Sequence, residues 1–176
     1  MGPLVLNKYL SEDDIQARVK EMGAQLSDMF KGKEVIAVCV LKGSFVFYSD
    51  LIRAMDTDVI CDFFGCSSYG NSTKSSGQVK LTMDLNSHVE NKHVLLVEDI
   101  IDTGLTMNYL QKLLEVRRPK SVTTVTLLHK PDAKKVDCNI DISGFDIPNE
   151  FVVGYGLDYQ GMYRNLPYIA QVQNMN

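Results

Sequence analysis

Apolar residues return at helical spacing early in the chain: Ile15, Val19, Met22, Leu26, Met29 and Phe30. A stripe with a period near 3.6 predicts an amphipathic helix. Ser11 precedes it, and Glu12, Asp13 and Asp14 fill its first turn. A serine at the N-cap accepts from an otherwise unbonded backbone N–H, and acids there suit the positive end of the helix dipole. The pattern then changes. Residues 34–41, EVIAVCVL, are apolar without alternation after the first, as in a strand covered on both faces. A glycine turn leads into a second helix, with Phe45, Tyr48, Leu51, Ile52 and Met55 as its apolar stripe.

Residues 58–65, DVICDFFG, predict another strand, and 81–85, LTMDL, a return to the sheet. Between them about 66–79 is rich in Ser, Gly and Asn. So long a connection with few core-forming side chains predicts a mobile functional loop. HVLLVEDI at 93–100 is a third buried strand. Its helix runs from about 105 to 117, with Met107, Leu110, Leu113 and Leu114 inward and Pro119 closing it. SVTTVTLLHK at 121–130 and FVVGYG at 151–156 are further strands, and the final YIAQVQNMN is expected to pair with the N-terminal segment as a small hood. Strands alternating with helices imply a single α/β domain over 1–176. Its centre is a parallel twisted sheet with helices on both faces.

Composition narrows the classes. The chain has 176 residues, 45% of them hydrophobic and 23% charged, an ordinary globular balance. A net charge of −4 argues against general affinity for nucleic acid or acidic membranes. No apolar run approaches spanning length, and the N-terminus lacks the basic lead and apolar core of a secretory signal. Cys39, Cys61, Cys66 and Cys138 form no CxxC pair, and His88, His93 and His129 show no ligand spacing with them. Buried free thiols in the cytoplasm are expected, without zinc.

The chemistry gathers at 98–106, EDIIDTGLT. Ligands of such sheets bind beyond the carboxyl ends of the strands. Buried ionised carboxylates are costly unless paired or solvated, so Glu98, Asp99 and Asp102 should emerge where the strand ends. Thr103, Gly104, Leu105 and Thr106 then turn into a helix whose backbone amides and hydroxyls form an anion cradle. Acids beside an anion cradle suit a ligand with both hydroxyls and a phosphate: a sugar phosphate. A capped helix after an acidic strand end is the plain alternative.

This run resembles the phosphoribosyl pyrophosphate signature of type I phosphoribosyltransferases. From the first helix to about Arg164 the chain resembles the hypoxanthine-guanine phosphoribosyltransferases, because further motifs follow in the family's order. VLKGSFVF at 40–47 matches the turn that holds pyrophosphate, implying that role for Leu41, Lys42 and Gly43 and a cis Leu41–Lys42 bond. Ser44 stands where some relatives carry glycine. SSYG at 67–70 matches a loop that closes over the reacting centre, with Ser68 and Tyr69 on pyrophosphate and water excluded. LLHKP at 127–131 implies that Lys130 donates to a purine 6-oxo group and so rejects adenine, with His129 facing away as a packing residue. FVVGYGLDYQGMYR at 151–164 implies Phe151 stacked on the purine, Val152 reading its edge, Asp158 beside it, and Arg164 on pyrophosphate. Tyr155 and Tyr159 read as core residues.

The resemblance implies transfer of 5-phosphoribosyl from phosphoribosyl pyrophosphate to N9 of hypoxanthine, and of guanine. Asp102 would be the general base for the purine N7 proton, and three nearby carboxylates should raise the proton affinity of at least one of them. Glu98, Asp99 and Asp158 would hold Mg2+. Glu98 and Asp99, with Asp102, Thr103, Gly104, Leu105 and Thr106, would bind the ribose phosphate. It also implies a homodimer or homotetramer. Two other classes fit less well. A nucleic-acid regulator on the same fold lacks an added binding segment, and a phosphoacceptor receiver domain needs its acid pair near the first strand.

Overall fold

In a computed structural model of the chain, residues 4–68 and 79–173 are described. Nine strands and three α-helices follow in the order β1 (Leu6–Leu10), α1 (Glu12–Met29), β2 (Val35–Leu41), α2 (Phe45–Arg53), β3 (Val59–Ser68), β4 (Val79–Met83), β5 (His93–Ile101), α3 (Leu105–Val116), β6 (Ser121–His129), β7 (Ile142–Asp146), β8 (Val152–Val153) and β9 (Ile169–Val172). Six strands form the main sheet in the order β4-β3-β2-β5-β6-β7. All its neighbours are parallel except the edge pair β3–β4.

The unbroken apolar runs are explained by cover on both sides. Val35, Ala37, Cys39, Leu95 and Val97 pack with Ile15, Val19, Met22 and Leu26 of α1 and Phe47 and Leu51 of α2. Ile36, Val38, Val40, Val94 and Leu96 alternate to the other face and meet Met107, Leu110 and Leu114 of α3. Ser11 caps α1 as expected: its Oγ accepts from the Asp14 N–H at 3.1 Å, and the Asp14 carboxylate accepts from the Ser11 N–H at 3.3 Å. Among the described residues no helix is long and apolar enough to cross a membrane.

The hood is present. β9 lies between β1 and β8, antiparallel to both, with Leu6 opposite Val172 and Val152 opposite Gln171. FVVGYG therefore does not extend the main sheet. Its strand stops after two residues because Gly154, Tyr155 and Gly156 all have positive φ, +100°, +49° and +99°, which an extended strand cannot accommodate. Of the segment expected to be a mobile loop, Cys66, Ser67 and Ser68 instead complete β3 and Val79 opens β4. The rest of it, with Tyr69, lies outside the described residues.

In α2 and β3, two expectations about burial fail. In α2, Phe47, Tyr48 and Leu51 face inward and Phe45 is 45% exposed. The inner face starts at Ser44, which is fully buried. Positions three, four and seven residues later share its face, whereas Phe45 is turned about 100° away. A polar residue thus sets the phase of the helix. Cys61 is exposed, unlike Cys39. In β3, Asp62 and Phe64 point to one face. Cys61 and Phe63 point to the other, where Tyr48 meets Phe63 with ring centroids 5.9 Å apart and both strand residues stay exposed.

Candidate active site

The strand order reverses between β2 and β5, so their carboxyl ends open side by side into a crevice. After β2 the chain turns sharply at Leu41–Lys42, whose peptide bond is cis. Gly43 lies hard against the strand-end acids: a Cβ there would fall 1.6 Å from Asp99 Oδ2. Ser44 ties the same turn to β5. Its hydroxyl donates to Glu98 Oε1 at 3.0 Å and accepts from the Asp99 N–H at 2.9 Å.

Glu98 and Asp99 do not emerge at the strand end; they are 7% and 8% exposed. Their burial is tolerated because hydrogen-bond donors reach them, the Ile100 N–H meeting Asp99 Oδ1 at 2.8 Å. Burial, reinforced by the neighbouring Asp99 charge, pushes the proton affinity of Glu98 well up. Burial also raises that of Asp99. The expected rise in proton affinity is met at this pair, with burial its largest cause in both. Asp102, three residues on, is exposed and accepts from the Thr103 N–H.

Gly104 has φ +81° at the N-terminus of α3, and a Cβ on it would meet the Val136 carbonyl at 2.4 Å. The Thr103 carbonyl fastens this turn by accepting from the Lys135 and Val136 N–H groups, both at 3.0 Å. Gly104 and Thr106 line a cavity of about 270 Å³ together with Leu41, Gly43, Cys66 and Asp102. Thr103 and Leu105 stand within the turn rather than on that wall. Burial, then the Glu98 charge, pushes the Cys66 thiol up to about 11, so it faces the cavity as a neutral group.

A second cavity, of about 350 Å³, is walled by Lys42, Lys130, Phe151, Val152, Asp158 and Arg164. Gly43, Asp99, Ile100 and Asp102 line both spaces. Asp102 thus stands where two cavities adjoin. Lys130 follows β6 and is held by its own N–H to the Ile101 carbonyl at 2.9 Å. It is 9% exposed and makes no ion pair among the described residues. Burial lowers its proton affinity. His129 is absent from the cavity wall and bonds Asp146 at 3.0 Å rather than serving only as packing.

Phe151 remains 36% exposed at the cavity wall, steadied by the edge of Tyr159 with centroids 5.8 Å apart. Arg164 and Asp158 pair at 2.6 Å. Arg164 also donates to the Gly156 carbonyl, and Asp158 accepts from the Gly161 N–H, both at 2.6 Å. The sequence reading overlooked Cys66, Ser67 and Leu157 as wall residues. It also overlooked the hydroxyl of Ser44, because a serine after a glycine turn carries no signal of its distant partner.

Glu98, Asp99 and Asp158 do not form one metal cluster: no group of three or more His, Cys, Asp or Glu among the described residues is placed to hold a metal. Three carboxylates, Asp99, Asp102 and Asp158, line the second cavity instead, and Asp99 and Asp158 flank its Lys42 and Arg164 side. Such an oxygen-only set fits magnesium, which uses one or two carboxylates and completes its shell with water and substrate phosphate.

The buried acids make a stability prediction. A carboxyl whose folded pKa lies above its unfolded value disfavours folding once pH exceeds the unfolded value, and does nothing below both values. In metal-free buffer, Glu98→Gln should therefore raise the urea midpoint at pH 8, and the gain should vanish near pH 4. A gain of equal size at both pH values would show that ionisation is not its source.

With this geometry in place, comparison with known proteins is decisive. Residues 7–160 match the phosphoribosyl transferase domain. The hypoxanthine-guanine phosphoribosyltransferase of Bacillus subtilis is 51% identical over 161 residues, covering 92% of this chain and 89% of that protein. The crystal structure of a hypoxanthine phosphoribosyltransferase from Staphylococcus aureus superposes with a TM-score of 0.90 at 48% identity, over 95% of this chain and 91% of that one. A hypoxanthine-guanine phosphoribosyltransferase from Bacillus anthracis, with HEPES in its active site, gives 0.90 at 47% identity, over 95% and 98%. The chain belongs to the phosphoribosyltransferase family, in its hypoxanthine-guanine branch.

Proposed function

We infer that the protein transfers the 5-phosphoribosyl group of phosphoribosyl pyrophosphate to N9 of hypoxanthine or guanine, giving IMP or GMP and pyrophosphate in purine salvage. The observation that carries the assignment of roles is the pair of adjoining cavities with Asp102 in their shared wall. The ribose phosphate would occupy the first, against Gly104 and Thr106. The purine would occupy the second, on the face of Phe151, with its 6-oxo oxygen accepting from Lys130 and its edge along Val152. Pyrophosphate would lie between Lys42, the Gly43 N–H and Arg164, with Ser68 and Tyr69 as the further contacts that the family resemblance implies.

In the reaction N9 bonds to the anomeric carbon as the bond to pyrophosphate breaks, the electron pair leaving with pyrophosphate. Positive charge builds on the sugar, as in glycoside cleavage, and negative charge on the leaving group, where Lys42 and Arg164 offset it. The purine N7 proton passes to the Asp102 carboxylate. Mg2+ held by Asp99 and Asp158, with Glu98 behind them, would supply further positive charge beside the leaving oxygens. Glu98 and Asp99 orient the turn and the ribose hydroxyls.

Four free cysteines accord with a reducing cytoplasm. The exposed apolar side chains Phe45, Ile60 and Phe63 offer surface for the homodimer or homotetramer that the family resemblance suggests.

The test is direct. Incubated with phosphoribosyl pyrophosphate, magnesium and hypoxanthine or guanine, the protein should form one nucleotide per pyrophosphate released. Adenine should give none. Failure with both 6-oxopurines, or equal use of adenine, would overturn the reading.

A further inference from the structure

We propose that Tyr155 is a positioning residue for the pyrophosphate side of the second cavity, pinning the loop that carries Asp158 and Arg164 to helix α2 through Asp50. The inference rests on the reading of the cavity given above, but its structural part stands on its own geometry.

The two sides of that cavity are held in different ways. Val152 and Val153 are anchored by strand pairing with Gln171 and Ala170 of β9. The chain beyond them leaves the sheet at once, through three successive residues of positive φ. Much of the backbone bonding there closes within the loop: Gly154 with Leu157, Gly156 N–H to the Arg164 carbonyl at 2.9 Å, and Tyr155 N–H to the Leu166 carbonyl at 2.8 Å. Bonds of that kind shape a loop without fixing it to the body of the protein.

Leu157 packs into the core, and Tyr155 adds the polar attachment. Its hydroxyl donates to Asp50 Oδ2 at 2.6 Å, across 105 residues of sequence. Asp50 is itself held, accepting from Gln16 Nε2 of α1 at 3.1 Å and lying 3.6 Å from Arg53. The ring is 3% exposed and packs in the core beneath the main sheet. A non-glycine residue at φ +49° is sterically costly and persists where its surroundings over-determine it. The buried phenol bonded to a carboxylate is such a constraint.

What it holds in place is the contact between the two walls. Helix α2 begins directly after the Lys42–Gly43 turn, so Asp50 moves with that turn. Gly156, next to Tyr155, touches it: a Cβ on Gly156 would lie 2.1 Å from the Gly43 carbonyl. The Gly156 carbonyl in turn accepts from Arg164. Asp50, Tyr155, Gly156, Arg164 and Asp158 thus form one chain of contacts from α2 to the cavity. The purine side, Lys130 just after β6 and Val152 on β8, is outside it.

Tyr155→Phe keeps the ring and deletes the hydroxyl. Without any ligand, amides of residues 154–166 should exchange with deuterated water about tenfold faster, the scale of one hydrogen bond to a charged group. Unchanged exchange there would overturn the pin. In turnover, the KM for phosphoribosyl pyrophosphate should rise about tenfold while that for hypoxanthine stays within twofold. Equal rises for both substrates would mean general loosening and would overturn the positioning role. Asp50→Ala should reproduce the effect, and Asp50→Asn, which keeps an acceptor, should restore most of it. Absence of turnover in the unaltered enzyme would sink the functional reading, while the exchange result would still decide the pin.

Discussion

Asp102→Asn should lower kcat by a factor on the order of 10² to 10⁴, the usual range for removing a general base. The KM values of both substrates should move only a few-fold. Asn fills the same space and still accepts a hydrogen bond from the Thr103 N–H, as Asp102 does. It cannot take up the purine N7 proton. Among the acids at the end of β5, Asp102 is the exposed one and sits in the wall common to both cavities. Glu98 and Asp99 are buried and already engaged with Ser44 and backbone donors, which suits shaping the site better than proton transfer. The reverse reaction, from nucleotide and pyrophosphate, passes through the same transition state and should lose the same factor. Forward and reverse single-turnover rates measure both losses. Turnover equal to the parent in either direction would remove Asp102 from this role.

The sequence disclosed those parts of the site that are local in the chain. An apolar run aimed at acids, followed by a Thr-Gly turn, identifies the crevice because strand, turn and helix are consecutive and their chemistry is unusual. β2 and β5 were legible for the same reason: cover on both faces removes alternation and leaves an unmistakable run. What escaped depends on contacts between distant residues. Nothing near Ser44 announces that it meets Glu98 54 residues later, yet that bond fixes the phase of α2 and turns Phe45 outward. Tyr155 reads as packing until Asp50 is seen beneath it. β7 was missed because five residues, one of them glycine, carry too little pattern to stand out.

Burial changed the meaning of the acids more than their identity. Read from the sequence, three carboxylates emerge together at the strand end. In the fold, two are submerged as a structural pair around Gly43, and the third is left at the mouth. This division follows from the Gly43 turn, whose missing side chain makes room for the Asp99 carboxylate. A buried pair, its proton affinity raised by burial, stands beside an exposed carboxylate, so the acids of one strand end meet two different environments.

Replacing Lys130 by Met should raise the KM for hypoxanthine by roughly 10- to 100-fold, the worth of a hydrogen bond from a charged donor. The KM for phosphoribosyl pyrophosphate should change little, because Lys130 lies on the cavity wall with Phe151 and Val152, beyond the shared residues. Met retains the stem and its packing. Stability should not fall at neutral pH, which separates a binding defect from unfolding. The sign follows from burial, which lowers the proton affinity of Lys130. A lysine with a depressed folded pKa disfavours folding while it is charged in the unfolded chain, and that cost disappears only above the unfolded pKa. Removing it at pH 7 therefore relieves a cost. The same shift makes the base KM of the parent enzyme rise with pH below the range of an ordinary lysine, as the ammonium donor is lost. In the Met variant that rise should be absent. Weaker binding of phosphoribosyl pyrophosphate with hypoxanthine unaffected would reverse the assignment and place Lys130 on the phosphate side.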